Sequence, residues 1–273
     1  MAMELWGVDF SSAPSARKPI VVARGARAGA VLRLQGVVSL PRLADFEDWV
    51  HRSGPWLGAF DFPFGLPRRF VQAMELGDTA QQVITRVRQR CPARMDFRAL
   101  VDAWGNTQPA GQRLLHRVTD TACPGLSSTS PLQTRYVPVG FMYYEGFSRL
   151  VDAGVHLPGL FAGDTARVAL EGYPGLLAHE LIGRRSYKND DSTERLLARK
   201  DMLEALEQGR TRLGLRLKLT PAQAGELVAD SSGDRLDAVL CLAQAAWAQQ
   251  QPRWGQPEQV DAVEGWITGA GLV

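Results

Sequence analysis

The chain has 273 residues, 45% of them apolar and 22% charged, a balance that fits one folded body and excludes a disordered or fibrous chain. A net charge of +2 is too small to assign a nucleic-acid partner, because such binding depends on where basic groups lie rather than on their sum. Three cysteines, Cys91, Cys123 and Cys241, are odd in number and lack CxxC spacing, which disfavours a disulfide framework or a zinc site and fits a reducing cytoplasm.

The opening MAMELWGVDF enters a strand at once, without a basic leader, and no apolar run approaches membrane-spanning length; neither secretion nor a membrane partner is expected. Strands are predicted at 4–10, 19–26 and 30–40, and the short turns between them make these antiparallel neighbours. Leu43, Phe46, Trp49 and Val50 recur at helical spacing in LADFEDWVHRS, and PWLGAFD follows as a buried fourth strand. The pattern then turns polar and helical from about 78 to 104 and rich in Gly, Pro, Ser and Thr around 105–135, so 75–150 reads as an insertion or cap. ARVALEGYPG supplies a fifth strand near 166–172, with Pro174 opening a helix where its missing N–H does no harm. Helices are predicted at roughly 193–208, 220–230 and 233–250. The whole is one α/β domain whose strand ends gather loops into a crevice.

Acidic residues stand at the ends of these apolar runs. Asp9 closes LWGVDF, Asp61 closes WLGAFD, Glu171 closes ARVALE, and Asp234 and Asp237 open GDRLDAVLCLAQAAWA. A carboxylate ending a buried strand is costly to desolvate, so several converging in one crevice point to a shared hard cation, Mg2+ or Mn2+, and to two-metal phosphoryl chemistry. Asp234 and Asp237, at i and i+3, share one helix face. Each acid also has a plainer reading: turn contacts for Asp9 and Asp61, a salt bridge for Glu171, helix capping for Asp234 and dipole pairing for Asp237.

In that order, GVDFSSAP, AFDFPFGLP, LEGYPG and GDRLDAVLCLAQAAW resemble the domain-of-unknown-function 429 family, grouped with predicted nucleases of the RNase H-like fold. The resemblance implies a five-stranded mixed sheet of order 3-2-1-4-5 flanked by helices, as in ribonuclease H and Holliday-junction resolvases. It makes Asp9 the central bridging ligand, Asp61 the second strand-end ligand, and Asp237, with Asp234 beside it, the late-helix ligand. Glu171 has no firm counterpart in that pattern.

Ser11 and Ser12 follow Asp9, Arg68 and Arg69 follow the Asp61 loop, and Arg184, Arg185 and Lys188 lie in LIGRRSYKNDD; all are candidates to hold a substrate phosphate. Arg86, Arg88, Arg90, Arg94 and Arg98 fall on more than one helical face, as a basic cap or, more plainly, a solvated helix. YVPVGFMYYEG interleaves aromatics that would stack bases or, more plainly, fill a core. The histidines show no HxxxH spacing, leaving only His116 as an auxiliary candidate. The leading expectation is a metal-dependent nuclease or phosphodiesterase acting on nucleic acid or a nucleotide. Its rivals are a nucleotide-dependent phosphotransferase of actin-like architecture, which needs a second half that the chain lacks, and a non-catalytic binding module for nucleic acid or protein.

Overall fold

The computed structural model describes residues 3–272. Seven strands form one mixed sheet: β1 (Glu4–Asp9), β2 (Ile20–Ala28), β3 (Val31–Leu40), β4 (Trp56–Asp61), β5 (Val155–His156), β6 (Asp164–Glu171) and β7 (Arg216–Lys218). Their order is β5-β6-β4-β1-β2-β3-β7. β1, β2 and β3 are antiparallel neighbours, whereas β4 lies parallel to β1 and β6 parallel to β4. The expected five strands are all present, but the sheet is wider: the two-residue β5 and three-residue β7 add an edge on each side. Neither is long enough to leave a periodic signal in the sequence.

The helices, in chain order, are α1 (Leu43–Val50), α2 (Arg68–Ala73), α3 (Ala80–Arg90), α4 (Arg94–Asn106), α5 (Val139–Met142), α6 (Ser148–Asp152), α7 (Pro174–Ile182), α8 (Thr193–Gln208), α9 (Pro221–Ala229) and α10 (Asp234–Ala248). A π-helical turn, Tyr143–Phe147, joins α5 to α6. The polar stretch at 78–104 is two helices rather than one, because Pro92 cannot continue α3 and Asp96 accepts from the Ala93 N–H to start α4. Among the described residues, no helix is long and apolar enough to cross a membrane.

Alternation along the strands sends side chains to two apolar layers. Trp6, Val8, Trp56 and Phe60 face one, which also takes Phe46 and Val50 of α1. Val83, Val87, Phe97 and Trp104 of α3 and α4 join this same layer, so residues within 75–150 share the core of the sheet. Leu5, Leu57, Ala59 and Leu170 face the other layer, built on α8 and the wholly apolar middle of α10. α10 lies directly on β1: a Cβ at Gly7 would fall 2.0 Å from the Leu242 nitrogen and 2.1 Å from the Ala238 carbonyl oxygen. Only glycine permits that approach.

Candidate metal centre

Asp9 and Asp61 are lateral partners at the C-terminal ends of two parallel strands, and Gly7 and Ala59, two residues before them, are partners as well. Equal register on adjacent strands turns both carboxylates to the same face, the one covered by α10. The contact of Gly7 with Ala238 then delivers the preceding residue, Asp237, to the same point. One carboxylate oxygen from each of Asp9, Asp61 and Asp237 lies within 4.8 Å of the others.

Asp237 is fully buried. Its Oδ1 accepts from the Tyr187 hydroxyl at 2.5 Å, and its Oδ2 accepts from the Lys188 ammonium. Burial, with the charges of Asp61 and Asp9 next in weight, pushes the Tyr187 phenol up, so it remains a donor. Burial is also the main reason that Asp9 is held well above the ordinary carboxylate range, reinforced by the charges of Asp234 and Asp61. Asp61 is pushed up to about 7, again by burial first; Lys188 opposes the rise, and Glu171 and Asp234 add to it. Buried like charges this close exclude one another unless a cation joins them.

The donor set suits a hard divalent ion. It is all carboxylate oxygen, and two oxygens on one cation bound at 2.0–2.6 Å lie at most about 4–5 Å apart, the spacing found here. Cys241 is close enough to feel Asp61 and Asp9, but burial raises its thiol well above its ordinary value, so no thiolate competes.

Asp234 stands beside the triad rather than in it. Its charge raises Asp9, and its own carboxyl is raised chiefly by burial. Capping of α10 falls instead to Asp230, which accepts from the Ser232 N–H and hydroxyl and from the Arg235 N–H. Glu171 lies apart from the triad for a reason of register: its lateral partner is Phe60, not Asp61, so its side chain points to the opposite face of the sheet. There it is buried against Arg117, whose Nη2 donates to Oε1 at 2.5 Å and whose Nη1 donates to Oε2 at 2.8 Å, while the Phe64 N–H also donates to Oε2.

The phosphate candidates divide in the same way. Arg68 is engaged by Asp261 through two bonds of 2.6 Å, Arg69 donates to Gln112 and Gln108, and Arg185 pairs with Asp201. Arg184 is exposed, Ser11 accepts from the Ala13 N–H within its turn, and Ser12 is buried. Of this group, Lys188 is the one hydrogen-bonded to the triad. The arginines of α3 and α4 are likewise committed: Arg88 to Asp152, Arg86 and Arg90 to the Glu75 and Met74 carbonyls, Arg98 to the Thr134 carbonyl, and Arg94 over the Phe141 ring. In YVPVGFMYYEG, Phe141 and Tyr143 are core residues and Tyr136 is exposed. His116 is exposed as well; its neighbour Arg117 is the buried one.

Sequence reasoning missed Tyr187, Arg117, Asp120 and Glu264. The i,i+3 spacing of Arg117 and Asp120 was a signal of sorts, but one shared by many surface pairs. Fold and site together define an α/β protein in which three aspartates converge, half-buried Asp9 and Asp61 at the ends of two adjacent strands and buried Asp237 on α10. In comparisons with known proteins, no family model, no curated protein and no solved structure matches this chain.

Proposed function

We propose that the chain is a metal-dependent phosphodiester hydrolase, a nuclease of the RNase H-like kind, in which Asp9, Asp61 and Asp237 hold Mg2+ or Mn2+. The observation that carries the reading is the convergence of three carboxylates, half-buried Asp9 and Asp61 from two strands and buried Asp237 from one helix, to within 4.8 Å. A set with so much desolvation and mutual repulsion costs folding free energy, and a bound divalent ion offsets that cost. The order of the five longer strands and the late-helix origin of Asp237 support the same reading, as does the resemblance to the domain-of-unknown-function 429 family.

The ion, when bound, supplies a Lewis acid for the phosphoryl oxygen and a more acidic water. The chain supplies the rest. Asp9 and Asp61, fixed by adjacent strands, set the direction of the cluster. Tyr187 orients Asp237 through Oδ1. Lys188, half-buried on Oδ2, is the cation beside the cluster, and its flexible stem would let the ammonium turn from Asp237 to a substrate phosphate oxygen.

The test is a melting curve across a manganese titration, followed by hydrolysis of a phosphodiester. At a hundredfold excess over Kd, binding to the native state adds about 2.7 kcal/mol, which corresponds to roughly 5–10 °C in a chain of this size. Wild type is expected to show that rise and Asp9→Asn is not; equal rises in both would remove the metal site, and with it the proposal.

A further inference from the structure

Beside the triad lies a cavity of about 150 Å³ whose wall includes Asp61. The remaining lining is mostly apolar or aromatic: Phe62, Val139, Met142, Tyr173 and Ile267, with Ser128 as a buried hydroxyl. A cavity of this size accepts a single six-membered ring, since about 150 Å³ of apolar space is enough for benzene. It has no room for a base pair.

Its electrostatics exclude a phosphate. Arg117 and Glu171 both line the cavity, yet they cancel each other. All five guanidinium donors are taken: Nε by Asp120, Nη1 by Glu171 and the Glu264 carbonyl, and Nη2 by Asp120 and Glu171. No N–H remains for an anion. Ser128 spends its proton on Asp120 at 2.6 Å, which leaves its oxygen free to accept from a ring N–H. The cavity therefore suits a flat, neutral group with hydrogen-bonding edges, held against aromatic walls.

We propose, resting on the phosphodiesterase reading above, that this cavity receives one unpaired pyrimidine-sized nucleobase attached to the phosphodiester at the aspartate cluster. A base in a duplex must leave its stack to enter, so the substrate class is single-stranded nucleic acid or a free nucleotide end.

The test is fluorescence anisotropy in calcium, with a labelled oligothymidylate, the same strand in a duplex, and unlabelled thymidine monophosphate as competitor. Wild type and Val139→Trp, which fills the cavity, are compared, with Val137→Trp at the exposed rim as a second variant should the first fail to fold. The single strand is expected to bind wild type at least about tenfold tighter than the duplex, and the filled cavity to remove that preference, in line with the worth of one base stacking on an aromatic wall. Competition by thymidine monophosphate assigns the cavity to free nucleotides; failure to compete assigns it to strands. Duplex binding equal to single-strand binding, an unchanged affinity in the filled variants, or no binding of any probe overturns the inference. The manganese melt is run on the same samples. A manganese shift with unchanged affinity in the filled variants removes the base cavity and spares the metal site, whereas lost affinity without any shift does the reverse.

Discussion

At the residue scale, Asp9 and Asp61 sit in surroundings that disfavour their charged forms. Their carboxyls lie above the ordinary range, Asp61 at about 7, whereas an unfolded aspartate titrates near 3.9. The metal-free native state thus holds protons that the unfolded chain releases; the contribution of Asp61 to stability is full below about pH 4 and lost as pH rises through about 7, and Asp9 acts in the same direction. Without metal, the melting temperature should fall between about pH 5 and about pH 8. Asp61→Asn should flatten that fall and raise the metal-free melting temperature near pH 8 by a few degrees, on the order of 1 kcal/mol. A variant that melts lower than wild type at that pH would make Asp61 a structural residue. Arg117 poses the opposite case. Fully buried between Asp120 and Glu171, it leaves two carboxylates uncompensated if removed, so Arg117→Met should destabilise by about 3–5 kcal/mol in chemical denaturation. A loss below 1 kcal/mol would show that the pair is solvated in solution.

At the element scale, the contact of α10 with β1 decides where Asp237 sits. Gly7→Ala forces a methyl into helix backbone that cannot give way, and α10 must lift. A loss on the order of 3 kcal/mol is expected. Because Asp237 moves with the helix while Asp9 and Asp61 stay with the strands, the manganese-dependent rise in melting temperature should shrink beyond what the stability loss explains. Retention of the full rise would separate helix position from metal binding. The strand register acts with equal force on Glu171: one residue earlier in the ladder than Gly172, it faces Arg117 instead of Asp61.

At the scale of the whole molecule, the last thirteen described residues tie the elements together. The Ala262 carbonyl accepts from Ala80 at the start of α3, Thr268 donates to Glu171, Gln244 of α10 donates to the Thr268 carbonyl, and Ile267 donates to Thr119. Asp261 and Glu264 engage Arg68 and Val118. The helices of 80–106 therefore share both core and stitching with the sheet, and native-state hydrogen exchange should give the protected amides of α4 and α10 the same opening free energy. Separate, lower protection in α4 would mark 75–150 as an independent cap.

Alternation, helical spacing and turn residues determined most of the elements, because these are local consequences of burying one face: the three antiparallel strands, α1, β4, β6 and the late helices follow from residues a few positions apart. The strand-end placement of Asp9 and Asp61 was legible for the same reason, since like positions on parallel strands share a face. What only the tertiary structure decided is where distant segments meet. The two-residue β5 is simply too short to leave a periodic signal, whereas the edge strand β7, paired with β3, and the stitching by Asp261 and Glu264 depend on partners far along the chain. So does the sorting of the acids, in which Asp237 joins the triad through glycine-sized clearance at Gly7 and Glu171 is turned away by a single step of register.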